Sequence, residues 1–135
     1  TPFIPGKANV MKEGTDVCII ACGLMIPKAL EAAAQLEKEG VSAAVVNMHT
    51  IKPIDKDIVL KMNETCKAIV TVEEHSVIGG LGSAVAEVLA GHDGAKFAMV
   101  GIQDKFGKSG KPDQLFEAYG LTAANVAAKA KELLK

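Results

Sequence analysis

The hydrophobic positions of this chain fall into blocks of two alternating kinds. Val17 to Ala21, Ala43 to Met48 and Ala68 to Val72 are short runs apolar on both faces. Such runs read as buried strands, because a strand covered on both sides has no polar face. Between them, Ile26, Ala29, Leu30, Ala33 and Leu36 recur with helical spacing, and Gly40 follows where a helix C-cap would sit. The stretch Ile51-Lys52-Pro53-Ile54 reads as a loop, since proline disfavours helix in the residue before it. Asp55 then caps a second helix whose buried stripe is Ile58, Val59 and Met62. Leu81, Ala84, Val85, Val88 and Leu89 mark a third helix ending near Gly91, and Phe97 to Ile102 supplies another strand. Thr122 fits the cap of a last helix with Val126, Ala130, Leu133 and Leu134 as its apolar stripe. Ala8 to Lys12 forms a short first strand. This alternation predicts an α/β domain with a mostly parallel sheet covered on both faces, the first strand being suited to an antiparallel edge. With no internal repeat or low-complexity tract, residues 1–135 are expected to be one domain.

Length agrees, since 135 residues bury a sufficient core without disulfide or metal staples. Charge adds a restriction in kind rather than in amount. The 15 basic residues, facing 16 acidic ones, are all lysines. Without arginine, a bidentate phosphate clamp or a base-reading surface lacks its usual fork, so no nucleic-acid partner is expected. No apolar run reaches the roughly 20 residues that span a bilayer, and Thr1-Pro2-Phe3-Ile4-Pro5 has no signal core, so the expectation is a cytoplasmic protein with no membrane partner. The chain opens on Thr1 rather than Met and is expected to be part of something longer. Cys18, Cys22 and Cys66 are odd in number and fit no zinc spacing, which predicts reduced core thiols.

In a parallel sheet, ligands and partners meet the carboxyl ends of the strands. Here those ends open into Cys22 to Ile26, Met48 to Ile54, Glu73 to Gly82 and Gly101 to Pro112. The third is the most unusual, with Glu73, Glu74 and His75 followed by Gly79, Gly80, Gly82 and Ser83. Its G-G-x-G spacing and distance from the strand do not match the dinucleotide fingerprint. A triad of Glu74, His75 and Ser76 fails because consecutive extended residues point in different directions. On structural grounds the glycines let a helix start close against the sheet, with Ser83 tying up free amides in its first turn. Glu73, Glu74 and His75 then form either a solvated charged loop or a contact surface, with His75 titrating near neutrality if unperturbed. An anion-binding regulatory module using the amides near Gly80 to Ser83 is a separate reading, weakened by the lack of arginine. In the fourth segment, Asp104, Phe106 and Ser109 belong to a Gly- and Lys-rich loop that does not match a P-loop. Phe106 is expected to tuck inward, and Pro112 to open a short helix up to Tyr119-Gly120. His92-Asp93-Gly94 reads as an ordinary turn.

Val-Thr-Val-Glu-Glu-His-Ser-Val-Ile-Gly-Gly-Leu-Gly-Ser-Ala-Val, Val70 to Val85, closely resembles the C-terminal domain of transketolase-like, thiamine-diphosphate-dependent enzymes. The resemblance extends, in order, to Gly14-Thr15-Asp16-Val17, to Met48-His49-Thr50-Ile51-Lys52-Pro53-Ile54-Asp55, to Asp104-x-Phe106-Gly107-x-Ser109-Gly110, and to Tyr119-Gly120-Leu121-Thr122. The last two look more like transketolase than like deoxyxylulose-phosphate synthase or the β subunit of 2-oxoacid dehydrogenases. A separately encoded C-terminal subunit fits the pattern as well.

The resemblance implies a three-layer α/β/α domain with a five-stranded, mostly parallel sheet and one antiparallel edge strand. It implies an enzyme of the pentose phosphate pathway that moves a two-carbon ketol unit between sugar phosphates, as a homodimer. In that family thiamine diphosphate and its metal, Mg in the complete enzyme, are held by an N-terminal domain, and the activating glutamate by a middle domain. The expectation for this chain is accordingly no catalytic, cofactor-binding or metal-ligating residue. Its partners would be those N-terminal and middle domains, in the same chain or a separate subunit. The candidate interface or ligand loop comprises Glu73, Glu74, His75, Gly79, Gly80, Gly82, Ser83, Asp104, Phe106 and Ser109.

Overall fold

The computed structural model describes residues 7–22, 25–49, 54–73, 80–101 and 123–135. The apolar runs become strands β1 (Asn9–Lys12), β2 (Val17–Ala21), β3 (Ala43–Asn47), β4 (Ala68–Glu73) and β5 (Lys96–Gly101). The helical stripes become α1 (Met25–Lys38), α2 (Lys56–Thr65), α3 (Leu81–Leu89) and α4 (Ala123–Leu134). One sheet holds the strands in the order β1-β3-β2-β4-β5. All neighbours are parallel except β1, which runs antiparallel along β3 and closes one edge.

Alternation along the strands divides the core in two. Val17, Ile19 and Ala21 of β2, Ala43 and Val45 of β3, and Ala68, Val70 and Val72 of β4 face α1 and α4. Cys18, Ile20, Ala44, Val46 and Ile69 face α2 and α3. The result is the expected α/β/α sandwich. Because β2, β3 and β4 are covered on both sides, every residue from Val17 to Ala21 and from Ala43 to Val46 is fully buried.

Helix ends and the first strand are fixed by specific polar contacts. At the end of α1, Gly40 adopts a positive φ of 82°. Its amide donates to the Glu37 carbonyl at 3.1 Å, and the Val41 amide donates to the Leu36 carbonyl at 2.9 Å. That is a Schellman ending, with Val41 and Leu36 both on the apolar cluster. Asp55 caps α2 as the sequence predicts, Oδ1 accepting from the Ile58 amide at 3.2 Å. Its Oδ2 accepts from the Ala8 amide at 2.9 Å, so the same carboxylate holds the start of β1. Lys12 donates to the Ala43 carbonyl at 3.0 Å and to Glu37 Oε1 at 2.6 Å, and Glu37 Oε1 also accepts from the Ala43 amide. At the opposite edge of the sheet Asn63 binds both sides of the turn containing His92-Asp93-Gly94, donating to the Asp93 carbonyl and accepting from the Ala95 amide.

None of the three cysteines is joined in a disulfide. Cys18 and Cys66 are buried, whereas Cys22, expected in the core, is only half-buried. Burial pushes the Cys18 thiol well above its ordinary range, which makes it a poor nucleophile. Strand boundaries match expectation to within a residue or so, with one change that matters. β4 extends past Val72 to take in Glu73, which pairs in register with Gly101 of β5. Ile102, the Pro112 to Gly120 segment and Thr122 lie outside the described residues.

Candidate functional site at the carboxyl edge

Period-two alternation along β4 puts Ile69, Thr71 and Glu73 on the side facing α2 and α3. Glu73 is the last residue of the strand and is only 1% exposed. The chain is next described at Gly80, the residue before α3. The first amides of that helix have no partner within the helix and must find one elsewhere. They find Glu73, whose Oε1 accepts from the Leu81 amide at 3.1 Å and whose Oε2 accepts from the Gly82 amide at 2.7 Å. A carboxylate at a helix N-terminus is also favoured by the helix dipole. Burial raises the Glu73 pKa above its ordinary value, and the two amide bonds oppose that rise without cancelling it.

This geometry corrects two sequence expectations. Glu73 is a buried internal group rather than part of a solvated loop, because the sheet alternation turns it toward α3. Ser83 does not tie up the free amides, since α3 has no side-chain cap from its own N-terminus. Ser83 is the third residue of the helix, and capping belongs to the residue before the first, which here is Gly80 and has no side chain. Gly82 is required for a reason visible only in three dimensions. A Cβ there would lie 2.9 Å from Glu73 Oε2 and would run into the side chain of Met99 on β5. Glu74, His75, Gly79, Asp104, Phe106 and Ser109 lie outside the described residues.

Beside this capped helix start, α2 and α3 enclose an open groove of about 620 Å³. Ile54, Lys56 and Leu60 bound it on the α2 side, Ser83, Glu87 and Val88 on the α3 side, and His92 lies beyond the end of α3. Sequence reading missed this feature. The available signal was the composition of α3, in which only Ser83 and Glu87 are polar. Among the described residues, no three His, Cys, Asp or Glu side chains are grouped so as to hold a metal ion. Also among them, no helix is long and apolar enough to cross a membrane.

The profile of the transketolase C-terminal domain family matches residues 6–126 of this chain. A putative transketolase C-terminal section from Methanocaldococcus jannaschii is 46% identical over 134 residues, which cover 98% of this chain and 42% of that protein. A 1-deoxy-D-xylulose-5-phosphate synthase from Heliobacterium modesticaldum is 45% identical over 130 residues, covering 95% of this chain and 20% of the other. Among solved structures, a split-gene transketolase in the form of an inactive beta4 tetramer superposes with a TM-score of 0.91 at 51% identity, over 99% of this chain and 44% of that one. The chain thus spans less than half the length of each of these relatives.

Proposed function

The chain belongs to the transketolase C-terminal domain family, and on that footing we propose that it serves assembly in a transketolase. The complete enzyme would transfer a two-carbon ketol unit between sugar phosphates, act in the cytoplasm as a homodimer, and draw its catalytic groups from outside these residues. The observation that carries this reading is the closure of Glu73 on α3. The position where a parallel sheet usually receives a phosphate or other anion is filled by the chain's own carboxylate. The residues present therefore do not fit the diphosphate of thiamine diphosphate at that helix start, and the cofactor and its magnesium would be held by the N-terminal and middle domains. The same occupancy weighs against an anion-binding regulatory module. The test is reconstitution. This chain alone, supplied with thiamine diphosphate, magnesium and sugar phosphates, is expected to show no turnover, and addition of the missing domains should restore it. Turnover by the chain alone would refute the proposal. Charge reversal at Glu74 is expected to weaken that assembly.

A second reading, the C-terminal part of a deoxyxylulose-phosphate synthase, draws on the 45% identity to the Heliobacterium relative. Product analysis of the reconstituted enzyme separates the two, because one yields rearranged sugar phosphates and the other 1-deoxy-D-xylulose 5-phosphate.

A further inference from the structure

Register along the sheet sets Met99 of β5 beside Thr71 of β4, on the face that carries Glu73 and α3. Gly101, the register partner of Glu73, has no side chain, so Met99 is the last side chain of β5 on that face. Its thioether lies directly over Gly82. A Cβ on that glycine would run into Met99 Sδ and would lie 2.9 Å from Glu73 Oε2, so the sulfur and the clamp oxygen share one small space above the first turn of α3. The same side chain is 51% exposed and therefore open to solutes. Met99 thus covers a buried polar clamp while standing half in water. Of the other methionines, Met25, Met48 and Met62 are at most 2% exposed, and Met11, 44% exposed, lies on β1 at the opposite edge of the sheet.

We propose that Met99 is a site of oxidation by hydroperoxides and acts as an oxidant-sensitive cover on the Glu73 clamp. In that step an electron pair on the sulfur attacks the peroxide, the O–O bond breaks and an S–O bond forms. The thioether is oxidised to the sulfoxide, and the peroxide is reduced to water or an alcohol. The new oxygen is a hydrogen-bond acceptor, placed where Glu73 Oε2 already accepts from the Gly82 amide, and that amide carries a single hydrogen. Two acceptors side by side with no second donor are unfavourable in a buried space. The sulfoxide, polar and already half in water, turns outward and uncovers the clamp, which admits water to the Leu81 and Gly82 amide bonds. Oxidation of Met11 has no such effect, because β1 contributes nothing to the clamp. The inference does not depend on the ketol-transfer reading, because modification and helix opening are measured without turnover.

The experiment treats the 135-residue chain with graded hydrogen peroxide, maps the oxidised methionines by peptide mass, and follows amide hydrogen exchange before and after. Met99 and Met11 are expected to take up one oxygen each while Met25, Met48 and Met62 are spared. Exchange at Leu81 and Gly82 should then speed up about tenfold, the equivalent of losing one hydrogen bond, with core amides such as Ala44 unchanged. Methionine sulfoxide reductase with a dithiol should reverse the change. Met99→Leu, which keeps the apolar cover at similar volume but has no sulfur to oxidise, should abolish the response, and Met11→Leu should leave it intact. The comparison of oxidised with reduced wild type stands without either variant. A Met99 that stays unmodified when Met11 is oxidised would overturn the proposal, as would oxidation of Met99 with no change at Leu81 and Gly82. Acceleration that persists in Met99→Leu, or that is equal across the whole domain, would overturn it too, since each assigns the effect to something other than the cover on the clamp.

Discussion

The Glu73 carboxylate lies 2.7 Å from the Gly82 amide, joining the end of β4 to the first turn of α3. With the Leu81 bond it supplies the N-terminal cap that no residue at the helix start provides. Glu73→Ala removes both acceptors and leaves two buried amides unsatisfied. The expected cost is about 2–4 kcal/mol, given about 1–3 kcal/mol for each such group and partial relief by water. Urea unfolding measures it, and a loss below about 1 kcal/mol would show that the clamp is energetically minor.

Gly82→Ala tests the same approach from the helix side. Alanine gains about 1 kcal/mol in helix propensity over glycine, but its Cβ meets a buried, hydrogen-bonded oxygen that cannot move without breaking the clamp. A net loss of about 1–2 kcal/mol is expected, in the usual range for overpacking. Met99 is 51% exposed and able to swing away. Adding Met99→Ala should therefore recover only part of the loss, and full recovery would mean that Met99 rather than Glu73 is the obstacle.

The pH dependence of Glu73 follows from its raised pKa. The folded state holds the proton more tightly than the unfolded chain, so the group's contribution to stability is fully present below its ordinary pKa of 4.5 and falls as pH rises through the raised value. Thermal melts of wild type and Glu73→Gln across that interval should show the advantage of Glu73 narrowing as pH rises. A widening gap would mean that the amide bonds outweigh burial.

The sheet and helices were legible because their patterns are local. Runs such as Val17 to Ala21 are apolar on both faces only when a strand is covered twice, and the Gly40 ending and the Asp55 cap follow from short-range chemistry. Glu73 was not legible as a cap because it lies eight residues before Leu81 along the chain. An acid at a strand end, followed by a helix whose cap position is glycine, was the usable clue. The Lys12–Glu37 pair and the second role of Asp55 at Ala8 are longer-range still, and no sequence period announces them.

That double role makes Asp55 a sensitive position. Loss of an N-cap typically costs about 1 kcal/mol, and Asp55→Ala also frees the Ala8 amide at the start of β1. A total near 2 kcal/mol is expected, with hydrogen exchange accelerated at both Ile58 and Ala8. Acceleration at Ile58 alone would show that the tie to β1 carries no stability.

Thr71 offers the opposite outcome, a substitution that stabilises. It is fully buried in the middle of β4, and its hydroxyl has no hydrogen-bond partner among the described residues. The folded state therefore carries a desolvated hydroxyl with no compensating bond, whereas in the unfolded chain that group is bonded to water. Valine has nearly the same shape, keeps the β-branch that suits a central strand, and replaces the hydroxyl with a methyl group. Thr71→Val is expected to raise stability by about 1 kcal/mol, at the low end of the penalty for an unsatisfied buried group. Because Thr71 and Glu73 lie on the same face of β4, the comparison is best made in wild type and again in Glu73→Ala. Additive effects within about 0.5 kcal/mol would mean that the hydroxyl plays no part in the clamp. A loss of stability in wild type that disappears in Glu73→Ala would mean that Thr71 supports Glu73.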